Sequence, residues 1–151
     1  MSKSSQAGAG ARTRARELMV QALYQKQIAG HSTAELVAQF QEDTAYARVD
    51  QEFFDEAFPA ISNSQNDLEK QIDDLIDRPL EQLDPIELSI LLIGVHELTT
   101  RVDIPYKVVI NEGVNLAKRF GSVEGHKYIN ACLDVAAQSL RPIEVQAKAG
   151  G

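Results

Sequence analysis

The 151-residue sequence has no tryptophan, one cysteine, two methionines and three histidines. A single cysteine, Cys132, cannot close an internal disulfide. With Ile129, Leu133 and Ala136 around it in an apolar helical stretch, it reads as the packed thiol of a reduced, cytosolic protein. No histidine or asparagine motif accompanies it to make a catalytic thiol. The histidines, His31, His96 and His126, are too dispersed for a local metal pattern, and none pairs in an H-E-x-x-H motif, so neither metal nor cofactor is expected. His96 beside Glu97 is read as a structural or solvent-edge pair. The longest uniformly apolar run covers residues 90–95, far short of the roughly 20 residues that span a bilayer. The stretch from Met1 to Gly10 is rich in Ser, Ala and Gly without an apolar core, so it is no signal peptide. Nowhere do apolar and polar residues alternate as an exposed-face strand requires, and no internal repeat suggests a solenoid.

What remains is an ordinary globular composition, 44% apolar and 25% charged, in a chain long enough to bury roughly 68–70% of its unfolded surface. The formal charge of −7 taken as a mean argues against a nucleic-acid partner. Its distribution argues differently. Residues 1–30 carry five basic and one acidic side chain, residues 31–89 three and fifteen, and residues 90–151 seven and six. The strongly acidic middle is read first as a solvated face, and if it has a task, that task is to meet a basic partner.

Helical periodicity dominates, so the fold class is all-α, with six to seven helices in two packed three-helix subdomains of about residues 12–79 and 80–142. Residues 1–11 are expected to form a disordered arm and residues 143–151 a loose tail. The first helix is expected over residues 12–29, with Ala15, Leu18, Met19, Ala22, Leu23 and Ile28 on one stripe and Gly30 as its stop. Ser32 and Glu35 form a capping box for a second helix, and Asp50 caps a third, which Pro59 should kink or interrupt. A fourth runs from residue 66 or 67 to the break at Arg78-Pro79. Asp84-Pro85-Ile86-Glu87 is the strongest boundary, combining cap, proline at the first helical position and glutamate at the third. The helix it opens is apolar nearly all round and should be the most buried. A further helix over residues 106–120 should end at Gly121 in a left-handed cap, and Ser122 should open the last, which runs to Leu140.

No catalytic pattern survives inspection. Gly121, Gly125, His126 and Lys127 differ from a phosphate loop in spacing, lack a following Ser or Thr, and have no strand before them. The basic set is more informative. Arg12 and Arg16 share a helix face with Arg14 round the side, and in a frayed first turn all three could wrap one phosphate backbone. That position opposes the helix macrodipole. Arg101, Lys107, Lys118, Arg119 and Lys127 follow downstream. Tyr24, Tyr106 and Tyr128 lie in basic segments, whereas four of the five phenylalanines lie in the acidic middle. These tyrosines are either stacking platforms for unpaired bases, as single-stranded RNA requires, or half-buried helix-face packers.

Five blocks bear on that choice: Arg14-Ala15-Arg16-Glu17 running on to Gln21-Ala22-Leu23-Tyr24; Val102-Asp103-Ile104-Pro105-Tyr106-Lys107-Val108-Val109-Ile110-Asn111-Glu112; Leu116-Ala117-Lys118-Arg119-Phe120-Gly121; His126-Lys127-Tyr128-Ile129-Asn130; and Leu133-Asp134. Together they resemble the NusB family of transcription antitermination factors over about residues 12–142. The resemblance implies a seven-helix arrangement of two three-helix bundles and a non-enzymatic role in the bacterial cytoplasm. It implies pairing with the ribosomal small-subunit protein NusE, binding of single-stranded boxA RNA, and indirect association with other Nus factors and RNA polymerase, without a membrane.

The residues that match the family's RNA side are Arg12, Arg14, Arg16, Tyr24, Lys127 and Tyr128, and Lys118 and Arg119 of the downstream basic set are read as RNA-binding beside them. Many relatives carry Phe at the position of Tyr128, and Glu124 stands where relatives often have Asp. On the partner side the matches are Glu81 and Glu87. Homodimer formation through either face stays open. Two rival readings accompany this one: a helical adaptor without sequence-specific RNA binding, and the NusB-like front domain of a ribosomal RNA cytosine methyltransferase. The second is not expected, because the sequence holds no Rossmann glycine fingerprint.

Overall fold

The computed structural model describes residues 8–121 and 123–150. Among them lie eight α-helices and no strand: α1 (Gly8–Ala29), α2 (Thr33–Gln41), α3 (Gln51–Asn63), α4 (Gln65–Leu75), α5 (Pro85–Thr100), α6 (Tyr106–Phe120), α7 (Val123–Leu140) and α8 (Pro142–Gly150), with short 3-10 turns at Thr44–Arg48 and Leu80–Gln82. The chain separates into two compact units, residues 1–65 and 66–151. The division expected near residues 79–84 therefore lies inside the second unit, and α4 belongs with the helices that follow it.

In the first unit α1, α2 and α3 pack against one another. Ala15, Leu18, Met19, Ala22 and Leu23 are buried on α1, Leu36 and Phe40 on α2, and Phe53, Phe54, Ala57, Phe58 and Ile61 on α3. Phe54 and Phe58 stack with centroids 5.6 Å apart, and Tyr46 meets Phe54 edge-on at 5.9 Å. Polar ties finish the unit. Lys26 Nζ donates to the Ser62 carbonyl at 2.7 Å, and the Thr33 and Ser62 hydroxyls lie 2.6 Å apart.

Three of the caps are as the sequence reading has them. Ser32 and Glu35 form a reciprocal box on α2, and the Ser32 amide, followed by its hydroxyl, holds the Glu35 carboxyl below its ordinary range. Asp50 accepts from the Phe53 amide to start α3. Gly30, at φ +72°, ends α1, with its N–H donating to the Lys26 carbonyl.

In the second unit α5, α6 and α7 pack mutually, and α8 packs on α7. Ser89 to Val95, with Glu97 and Leu98, is buried on α5, in keeping with its all-round apolar pattern. Glycine permits the close approach of the three helices. A Cβ at Gly94 would lie 2.6 Å from Leu133 Cδ2, and one at Gly113 would collide with Leu133 Cδ1. Leu133, fully buried, thus fills space that two missing side chains leave open.

Several expectations need correcting. The chain is already helical from Gly8, so residues 8–11 do not belong to a disordered arm, while residues 1–7 and Ser122 lie outside the described residues. Ala11 is buried and its carbonyl accepts from the Asp50 amide at 2.9 Å, which fixes this start. Pro59 sits inside α3, so of the two expected effects it does not interrupt the helix; the buried residues Phe58 and Ile61 on either side hold it together across the missing N–H. Gly121 is extended (φ −106°, ψ −163°), not left-handed. The stretch from Pro142 onward is helical rather than loose, and the reason is Arg141.

Arg141 is only 7% exposed. Its guanidinium donates to the carbonyls of Leu98, Ile104, Glu97 and Arg101 at 2.8–3.0 Å and to Glu144 at 2.8 Å. Glu144 in turn accepts from the Tyr106 amide at 3.0 Å. One side chain thus ties together carbonyls at the end of α5 and in the turn that follows it, and its carboxylate partner completes the start of α6, where Pro105 offers no side-chain cap.

Candidate functional site

The N-terminal arginines stand on a formed helix, not in a frayed first turn, and the three differ sharply. Arg12 is partly exposed; its Nε lies 3.4 Å from the buried Asp50 carboxylate and its guanidinium carbon 4.8 Å from the Phe53 ring centroid. Arg16 is only 3% exposed, with its guanidinium carbon 5.0 Å from the same ring. Phe53 is therefore flanked by two cations, an arrangement that the ring quadrupole favours. Arg14 is exposed. Its Nε donates to the Arg48 carbonyl at 2.9 Å, and no carboxylate among the described residues pairs with it. Tyr24, further along α1, is 41% exposed. The first unit thus presents one open arginine, one half-open arginine anchored by a carboxylate, and an accessible aromatic ring on a single helix.

The remaining basic and aromatic candidates lie in the second unit. Lys118 and Arg119 are exposed in the last turn of α6, and Arg119 rests against the Phe120 ring at 5.6 Å. Lys127 is exposed on α7, with Glu124 3.9 Å away. Tyr128 is half-buried. Its hydroxyl is buried without a hydrogen-bond partner among the described residues, and burial pushes both this phenol and the Cys132 thiol one turn on above their ordinary ranges. The Arg78 guanidinium carbon sits 3.8 Å from the Tyr128 ring centroid.

Of the two acids, Glu81 is exposed in the 3-10 turn before α5. Glu87 is half-buried and carries out a structural duty: its carboxylate accepts from the Asp84 amide while its own amide donates to Asp84.

Sequence reasoning missed Arg78, Arg141 and Phe53. In the sequence Arg78 marks only the residue before a helix-breaking proline, although a basic residue among so many acids is a signal. The roles of Arg141 and Phe53 depend on partners 37 to 44 residues away in the first case and on two α1 arginines in the second, and nothing local marks them.

This all-α arrangement is shared with a solved structure of NusB from T. maritima, which is 21% identical, has a TM-score of 0.76, and matches over 89% of this chain and 96% of that one. The class is thus a NusB-type helical protein. The NusB family profile matches residues 13–138. Proteins named "Transcription antitermination protein NusB" from Pseudomonas syringae pv. tomato and Marinobacter nauticus are 44% and 42% identical over 90% and 95% of the chain, covering 82% and 91% of their own lengths. The chain belongs to the NusB family, a non-enzymatic family of transcription antitermination factors. No helix among the described residues is long and apolar enough to cross a membrane.

Proposed function

We propose that this protein acts in the cytoplasm as an antitermination factor that binds single-stranded, boxA-type RNA as a heterodimer with the ribosomal protein NusE, and joins other Nus factors and RNA polymerase through that complex. The observation that carries the reading is the graded arginine set of α1. Arg14, exposed and without a carboxylate partner among the described residues, is the phosphate contact of this helix. Arg12, held by Asp50 and Phe53, is a pre-placed second cation. Arg16 holds their base in position. Tyr24 offers a ring for an unpaired base.

Lys118, Arg119 and Lys127 add phosphate-neutralising charge from the second unit. These contacts give affinity that falls with salt and carries no sequence information, while stacking and base-edge contacts supply discrimination. Few cations imply weak binding by the chain alone. NusE, a basic partner, docks on acidic side chains including Glu81 and Glu87, lowers the repulsion of RNA from the acidic middle, and contributes contacts of its own.

Titrating a labelled boxA RNA and a scrambled control, each with and without NusE, tests this. Preference for boxA that strengthens with NusE supports the reading. Equal affinity for the scramble under both conditions favours a helical adaptor instead.

A further inference from the structure

Arg78 lies in the break between α4 and α5, in the same compact unit as Tyr128. Its guanidinium rests on the Tyr128 ring at 3.8 Å, a closer approach than the arginines against Phe53 or Phe120. The hydroxyl end of Tyr128 is buried, on a helix whose next turn buries Cys132. Arg78 is itself exposed, and no carboxylate among the described residues pairs with it. Lys127, beside Tyr128 in sequence, is also exposed, with only a long, solvent-screened contact to Glu124.

The covered ring matters for how RNA could use this place. A base cannot stack on a face that a guanidinium already occupies, yet a guanidinium plane backed by an aromatic ring is itself a stacking surface for a nucleobase and keeps its N–H edge for phosphate. We propose that Arg78, backed by Tyr128, is an RNA-binding residue whose guanidinium plane, rather than the Tyr128 ring, stacks an unpaired base of single-stranded RNA. This rests on the RNA-binding reading above and adds a stacking position in the second unit. The arginine supplies the flat cationic surface, and Tyr128 positions it.

The test uses the full chain and a short single-stranded RNA carrying one fluorescent adenine analogue, with the wild type, Arg78→Ala and Arg78→Lys compared at two salt concentrations. Stacking of one base is worth roughly 1–3 kcal/mol, so Arg78→Ala is expected to weaken binding roughly 5- to 150-fold and to relieve quenching of the analogue. Arg78→Lys keeps the charge but loses the plane, so it is expected to retain the salt slope yet lose most of the quenching and affinity. Full affinity and quenching in Arg78→Lys overturn the proposal, because charge alone then suffices. Tighter binding by Arg78→Ala also overturns it and assigns the platform to the uncovered Tyr128 ring. Wild-type protein that binds no single-stranded RNA overturns the RNA-binding reading itself, whereas wild-type binding with indifferent Arg78 variants removes this position alone.

Discussion

Arg14 and Arg16 stand two residues apart on α1 and differ in what they can touch, so their substitutions should separate. Arg14→Ala is expected to leave thermal stability nearly unchanged while weakening RNA binding and reducing the log–log salt slope by roughly 0.7, the share of one cation on a single strand. An unchanged slope would remove Arg14 from the RNA path. Arg16→Ala takes a buried guanidinium from the Phe53 ring and is expected to cost roughly 1–3 kcal/mol of stability, read by urea denaturation. Tyr46 supplies a pH test. Burial, then its hydrogen bonds to the Asp55 carboxylate at 2.7–2.8 Å, push its phenol from 10.0 to about 12. Folding therefore favours the protonated phenol; that contribution is whole below pH 10 and disappears as the pH rises through about 12. Tyrosinate absorbance should show a late-titrating tyrosine there beside Tyr128, whose phenol burial also raises, and Asp55→Ala should bring the Tyr46 step alone to lower pH. A tyrosine titration complete near 10 in the folded protein would contradict the contact.

Among the helices, the meeting of α5, α6 and α7 at Leu133 sets up a compensation. Leu133→Ala empties a fully enclosed site and is expected to cost roughly 2–5 kcal/mol. In that background Gly113→Ala should recover part of the loss, because its methyl enters the vacated volume, and a double-mutant cycle reads the coupling. Purely additive effects would mean that the three helices do not share this contact. The start of α5 carries a second test. Glu87→Lys breaks the capping box and puts positive charge at a helix N-terminus, an expected cost of roughly 0.5–2 kcal/mol, so its effect on partner docking is mixed with stability. Glu81→Lys is free of that cap and is the cleaner probe: calorimetry should show weaker NusE docking with unchanged RNA binding by the free protein, and equal loss of both would contradict separate partner and RNA contacts. The helix starts were legible because a cap is a local event, written within four residues at Ser32-Glu35, Asp50-Phe53 and Asp84-Glu87. Helix ends and tails were less so. Gly121 has the residue type of a left-handed cap without the conformation, and α8 owes its order to hydrogen bonds that reach back from Arg141 to carbonyls on α5 and in the turn before α6.

For the molecule as a whole, the uneven charge along the sequence was the most informative number available before any geometry, and family blocks gave it a direction. What the residue pattern could not supply was the grading of the cations by burial. Arg16 and Arg141, at 3% and 7% exposure, belong to the interior, while Arg14 and Arg78 belong to the surface, and sequence spacing treats all four alike. If partner docking offsets the acidic middle, the gain in RNA affinity on adding NusE should shrink as salt rises, because the relieved repulsion is screened; a salt-independent gain would place the whole benefit in new contacts. The same grading makes the protein its own control in arginine-selective dicarbonyl labelling. Arg14 and Arg78 should react in the free protein and be shielded by RNA, while Arg16 and Arg141 should stay unmodified until the unit around each one opens. Mass spectrometry of a single labelled sample would then report occupancy of the nucleic acid from one pair of peptides and the integrity of each half of the chain from the other.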